Sequence, residues 1–269
     1  MAATEPFAYR GATALVTGAS SGLGAAFAEH LAALGADLLL VARSAGVLEE
    51  MAARLCERYG VAARPMPTDL ADPASRAELA AQLLPLRVDL LVNNAGVGSH
   101  GSFAELPVAR EVGQVELNCV AVVQLSRLVL PGMLERGRGG IVNMASTAAF
   151  QPTPTMSTYG ATKAFVLAFS TALAEECRGS GVRVLAFCPG PVQTGFAGAT
   201  GGSAFASASF AKAPRPEQVV PLALLALDRG RVIAVPGLAN RLGTVGTRLA
   251  PRTFLARVSN LVINRPSTS

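Results

Sequence analysis

Three residues able to hold or move a proton stand at telling intervals in this chain: Ser146, Tyr159 thirteen positions later, and Lys163 four after that. Positions four apart lie one turn apart on the same helical face, so the Tyr159 hydroxyl and the Lys163 ammonium can serve one site. Such a group suits carbonyl–alcohol chemistry. Reducing a ketone requires a proton at oxygen while hydride reaches carbon, hence an acid within hydrogen-bond reach and a second donor to hold the oxygen. Tyr159 fits the first role and Ser146 the second. A free tyrosine, with a pKa of about 10, is only ~0.1% ionised at pH 7, so alcohol oxidation calls for a nearby cation to lower that value. Lys163 is the expected cation, and its three donors also allow it to bridge a nucleotide ribose.

The elements needed to position these groups are legible in order. A short apolar run, Ala12 to Val16, precedes Thr-Gly-Ala-Ser-Ser-Gly-Leu-Gly (Thr17 to Gly24), and helical spacing follows to Leu34. Gly35 ends that helix, and 36–42 reads as a second, buried strand, completing a βαβ unit. The spacing predicts further helices over about 45–59, 73–84, 107–134, around Tyr159, and 216–228. The predicted strands lie over 61–67, 88–92, 141–145, 182–187 and 231–235, and the prolines of 61–67 mark that strand's end rather than its centre. Strands alternating with helices imply one α/β unit with a parallel sheet and right-handed crossovers, a doubly wound Rossmann-type fold. Residues 1–235 are expected to form this domain, with 236–269 as an extension rather than a second domain.

A glycine turn between strand and helix lets a pyrophosphate approach backbone N–H groups at a positive helix end. Gly18, Ser20, Ser21, Gly22, Leu23 and Gly24 form that turn, although the glycine spacing is G-x-x-x-G-x-G rather than G-x-G-x-x-G. A carboxylate closing the second strand would favour NAD(H). Here the strand closes on Arg43 and Ser44, with no acid before Glu49, so NADP(H) is expected, its 2′-phosphate paired with the Arg43 fork and helped by Ser44.

With that turn, Asn-Asn-Ala-Gly at Asn93 to Gly96, Asn118, Ser146, the Tyr159/Lys163 pair and Pro-Gly-Pro-Val-Gln-Thr at Pro189 to Thr194, the chain resembles the short-chain dehydrogenase/reductase family over about residues 10–235. The resemblance implies a seven-stranded parallel sheet flanked by helices and a catalytic tetrad of Asn118, Ser146, Tyr159 and Lys163. Asn118 is expected to hold a water that links Lys163 to solvent. The resemblance also places Asp69 and Leu70 against the adenine, and Asn94, Ala95 and Gly96 along adenine and ribose, with Asn93 stabilising the sheet. Pro189, Gly190, Val192 and Thr194 would turn toward the nicotinamide carboxamide and present the pro-S hydride, and the positive ring of the oxidised cofactor would join Lys163 in lowering the Tyr159 pKa. It further implies a homodimer or homotetramer acting on a small-molecule carbonyl or alcohol. A sensor or scaffold that binds NADP(H) without turnover is the competing reading, and a group-transferring Rossmann enzyme would leave the tyrosine, lysine and serine without purpose.

Composition narrows the classes further. Apolar residues make up 51% of the 269, and the start lacks a basic region and apolar signal core. Runs such as 38–42 fall far short of the roughly 20 residues that span a bilayer, so a cytoplasmic protein is expected. Cys56, Cys119, Cys177 and Cys188 show no C-x-x-C spacing and read as small buried thiols, with no metal site. Of the net +5, seven arginines lie from Arg229 onward with no acid, leaving 16 basic against 18 acidic groups before it, so no nucleic-acid partner is expected. With only His30 and His100, a Ser-His-Asp hydrolase has almost no candidates. His100 stands either in the substrate wall or in an exposed loop. Phe196, Phe205 and Phe210 among small residues predict a flexible apolar lid, favouring an apolar or aromatic ketone or alcohol over a sugar or charged acid, and the family resemblance adds acyl or lipid-like ketones. In the extension, Leu255, Val258, Leu261 and Val262 at helical spacing predict an amphipathic helix that docks on its own domain or a partner subunit, with membrane contact as the alternative.

Overall fold

The computed structural model describes residues 6–200, 212–247 and 250–263. Seven parallel strands form one sheet in the order β3-β2-β1-β4-β5-β6-β7: β1 Thr13–Thr17, β2 Asp37–Ala42, β3 Ala63–Pro67, β4 Leu90–Asn93, β5 Gly139–Met144, β6 Val182–Phe187 and β7 Ile233–Ala234. The order reverses between β1 and β4, each hydrogen-bonded in parallel register to the other, which opens a crevice at their carboxyl ends. Strand alternation sends Ala14 and Val16 to one face and Leu15 to the other. On the first face pack α1 (Gly22–Ala33), α2 (Ala45–Tyr59) and α8 (Pro216–Asp228), with Phe27, Leu31, Leu48 and Leu227 fully buried. On the second pack α3 (Pro73–Leu83), α5 (Ala121–Glu135) and α6 (Ser157–Glu176), through residues such as Leu79, Leu125, Met133 and Leu173. Each side chain of this size stabilises the fold by about 1.5–3 kcal/mol when wholly removed from water.

Local chemistry accounts for the boundaries. Gly60 caps α2 in the left-handed region at φ 66°, and Asp72 accepts the Ser75 amide at 2.8 Å ahead of Pro73 at the start of α3. Pro67, opposite Ala42, ends β3 as expected, whereas Pro65, opposite Leu40, sits at its centre. They are tolerated because β3 is an edge strand, one side of which needs no donor. The helix expected over 107–134 is α4 (Val108–Val115) and α5 joined by a π-turn, Glu116–Val120. This 28-residue rod is long and apolar enough to cross a bilayer, contrary to the reading from contiguous apolar runs. It is instead a core helix: Leu125, Val129 and Met133 pack on the sheet, and buried Ser126 accepts a hydrogen bond from Asn93. All four cysteines are free thiols, three of them buried.

Candidate active site

A cleft of about 920 Å³ lies over the carboxyl ends of the strands. Its base is tied together by Thr17, whose hydroxyl accepts the amides of Asn94 and Ala95, both at 2.9 Å, and donates to the Val92 carbonyl at 3.3 Å. Asn94 donates its side-chain amide to the Thr17 carbonyl at 2.9 Å, so this residue latches the loop to the glycine turn and faces the cleft from that fixed position. Asn93 lies below, donating to Asn143 and Ser126, and Asn143 donates in turn to Ser170; this network joins β4, β5, α5 and α6.

The glycine turn lines one side through Gly18, Ser20, Ser21, Gly22 and Leu23. Gly18 and Gly22 take positive φ of 66° and 54°. Gly24 stands just behind them, outside the lining, where an added Cβ would come within 2.1 Å of the Gly18 carbonyl oxygen. That contact is with backbone and cannot be relieved by a rotamer change. Gly24→Ala is therefore expected to lower the melting temperature and, with the turn displaced, to weaken nucleotide binding at least tenfold, as read by thermal melting and titration with dinucleotide. Arg43, Asp69 and Leu70 close the far end of the cleft, whereas Ser44 does not line it and serves as the residue before α2. Asp69 accepts the Ala71 amide at 2.9 Å in an Asx turn. Arg76, buried at 5% exposure, fixes this end by donating to the Leu70 carbonyl, to Gln124 and to Glu116. Pro189, Gly190, Val192 and Thr194 form the opposite rim.

Ser146, Tyr159 and Lys163 converge at the other end. Ser146 leaves β5 in extended backbone and its hydroxyl accepts the Ala148 amide at 3.1 Å while hydrogen-bonding Tyr159. Lys163, 5% exposed, donates to the Met144 carbonyl at 2.7 Å, with its ammonium 5.7 Å from the Tyr159 ring centre. Asn118 sits in the π-turn and does not reach the cleft wall. Its Oδ1 accepts the Val97 amide at 3.0 Å, and its Nδ2 donates to the Val97 carbonyl and to Thr162, whose hydroxyl donates to the Tyr159 carbonyl. Both amide protons are thus committed to clamping the 94–97 loop and the Tyr159 turn of α6. A water relay from Lys163 has to use the remaining oxygen lone pair or the main chain, which a π-turn frees from its usual partner.

The electrostatics differ from the sequence-based expectation. Burial pushes the Tyr159 hydroxyl up to about 12, and only its hydrogen bond with Ser146 opposes this. Burial also pulls the Lys163 ammonium down to about 8. In the protein's own field desolvation therefore dominates at Tyr159, and the depression needed for a phenolate falls to charge brought by what binds, the second cation of the sequence-based expectation.

Several lining residues carry no signal in the motifs. His100 lines the cleft with its Nε2 buried, which decides between the two readings of that residue. The lid begins as a short helix, α7 (Phe196–Thr200), with the Phe196 and Tyr159 ring centres 5.3 Å apart. Gly98 permits this closure, since an added Cβ would meet Phe196 at 2.8 Å and Thr200 at 3.0 Å. Phe205 and Phe210 lie outside the described residues. The extension contains α9 (Leu238–Gly246), not expected from sequence, and α10 (Arg252–Ile263). Ala239, Asn240, Gly243, Thr244 and Thr247 line the cleft, and Asn240 packs against Gly190, so α9 docks on its own domain. A stripe of small and polar residues at helical spacing, opposite Leu238, Leu242 and Val245, is the signal that could have found it. In α10, Val258 and Leu261 are exposed in the single chain, so this part of the apolar face is not covered by its own domain.

The sequence profile of the short chain dehydrogenase family matches residues 12–202. Among curated proteins, the very-long-chain 3-oxoacyl-CoA reductase of Pyrenophora tritici-repentis (strain Pt-1C-BFP) is 39% identical over 185 residues, covering 66% of this chain and 54% of that protein. This chain thus spans about half the length of such a relative. Among solved structures, a short-chain dehydrogenase from Sphingobium yanoikuyae in complex with NADPH aligns with a TM-score of 0.81 at 34% identity, covering 96% of this chain and 98% of that one. The bulky-bulky ketone specific alcohol dehydrogenase from Comamonas testosteroni aligns with a TM-score of 0.77 at 31% identity, covering 96% of each chain.

Proposed function

The chain belongs to the short-chain dehydrogenase/reductase family, oxidoreductases of the carbonyl–alcohol couple, and on that premise we propose that it uses NADP(H) to interconvert a 3-oxoacyl-type ketone and its secondary alcohol. The observation that carries this reading is the convergence of Ser146, Tyr159 and Lys163 on one cleft whose other end holds the glycine turn and Arg43. The residues fit a dinucleotide. Backbone at Gly18 and Gly22 adopts the left-handed region, a Cβ at Gly24 would meet backbone, and no carboxylate replaces Arg43 at the end of β2. NADPH, when bound, supplies the hydride, and its oxidised form brings a positive ring.

The chain's own groups do the rest. Ser146 holds the substrate oxygen, and Tyr159, kept protonated by burial, gives it a proton. Lys163 holds its ammonium beside the tyrosine from the Met144 carbonyl, and its remaining donors would hold the ribose hydroxyls of a bound cofactor. Asn118 keeps this geometry by clamping Val97 and Thr162. The acyl character of the substrate is supported by the 3-oxoacyl-CoA reductase relatives and by the apolar start of the lid at Phe196. No observation on the site favours a sensor over an enzyme.

The test is NADPH consumption with a panel of 3-oxoacyl thioesters, plain ketones and sugars. Turnover confined to sugars would remove the acyl reading. Arg43→Ala is expected to raise the NADPH Kd by about 10–100-fold, the loss of a charge-assisted pair, while moving the NADH Kd by less than about threefold. Wild-type protein that binds NADH more tightly than NADPH would overturn the assignment of Arg43.

A further inference from the structure

Gln114 of α4 is 1% exposed, and neither its Nε2 nor its Oε1 has a hydrogen-bond partner among the described residues. It nevertheless belongs to the wall of the cleft that holds Tyr159, between Gly113 and Leu117. A buried amide with both ends unpaired costs the fold the full desolvation of each group, so such a residue is expected where a ligand completes it. It lies four residues before Asn118, about 5–6 Å or one helical turn along the rod. A second unpaired atom shares that wall: His100 Nε2, buried, on a loop whose His100 amide donates to the Thr200 carbonyl at 3.1 Å. His100 thereby stands beside α7, where the lid meets the reaction centre.

Resting on the 3-oxoacyl reading above, we propose that Gln114 holds the carrier end of the substrate. On binding, the buried amide turns into the cleft: its Nε2 donates to the thioester carbonyl two carbons from the reacting ketone, and its Oε1 accepts an amide N–H of the carrier arm. A plain ketone offers neither group, and a site built to pair a polar group discriminates strongly against a ligand that lacks it.

The probes are acetoacetyl N-acetylcysteamine, which carries both groups, and a plain methyl ketone of similar length. Each is titrated calorimetrically into protein saturated with NADP+, and each is assayed for turnover with NADPH. Wild-type protein is expected to bind the thioester at least about tenfold more tightly than the ketone, and in Gln114→Leu and Gln114→Met that ratio falls toward one. Both variants are expected to melt above wild type, because an unpaired amide has been replaced by an apolar group. A thioester preference that survives in both variants overturns the proposal. So does a lower melting temperature with the preference intact, which would mean that Gln114 serves the fold through Glu111, one turn back, whose Oε1 is also unpaired. Loss of the binding preference in the variants without turnover of either compound would sink the reductase reading and leave the subsite standing. Turnover of both compounds without any wild-type preference would do the reverse.

Discussion

Tyr159→Phe is expected to lower kcat for any accepted ketone by about 10²–10⁴-fold, the usual worth of a positioned general acid, while the NADPH Kd stays within about threefold. The change removes the hydroxyl alone. The ring, 5.3 Å from Phe196 and 5.7 Å from the Lys163 ammonium, keeps its packing, so a loss of activity would report the proton and not the fold. The measurements are steady-state turnover, fluorescence titration with NADPH and a thermal melt on the same preparation. Wild-type turnover in a well-folded variant would show that the proton comes from elsewhere. Burial pushes the Tyr159 hydroxyl up to about 12, so its acid form persists across the neutral range and reduction should show no alkaline loss from this residue below pH 10. Oxidation needs the phenolate and should accelerate as pH rises.

Lys163→Met is the second large effect, with an expected loss of about 10²–10⁴-fold in kcat/KM, because the ammonium lies beside the tyrosine and would hold the ribose of a bound cofactor. It carries a stability signature that can be read without substrate. Burial lowers the lysine from 10.5 in the unfolded chain to about 8 in the fold, so between those values the unfolded chain binds more protons. Stability of the ligand-free wild type should accordingly rise with pH from about 8 toward 10.5, by roughly 3 kcal/mol at most. Lys163→Met should lack this rise and should be the more stable protein at pH 7, where the wild type carries the charge in a desolvated position. Denaturant melts of both proteins at pH 7 and pH 9.5 decide the matter. Parallel pH profiles would show that Lys163 is not the group titrating, and the Tyr159 contribution has the opposite sign and begins only above pH 10.

The long helix shows where reading from sequence stopped. Its apolar spacing specified a helix from about 107 to 134, and the rod does run from Val108 to Glu135. The π-turn at Glu116–Val120 was not legible, because its five residues span barely one turn, too short a stretch for the apolar period to reveal a change of winding. Within that turn the Asn118 amide meets Val97 and Thr162. The sequence-based expectation for Tyr159 was displaced for a different reason. Spacing shows that a cation stands one turn away, but a pKa is set by the balance of that charge against burial, and burial is a property of the packed protein.

What the sequence determined by itself is local or periodic: the strand–turn–helix at Gly18 to Gly24, the cap at Asp72, the alternation that yields a parallel sheet, and the helical face shared by Tyr159 and Lys163. Each follows from dihedral preference or from a repeat of two or 3.6 residues, which a linear string carries in full. The sheet order, the burial of Lys163, the closing of α9 of the extension over the cleft and the two unpaired ends of Gln114 were decided only in three dimensions. They depend on which distant segments meet, and a polar residue at helical spacing reads the same in sequence whether it faces solvent, a partner or a substrate.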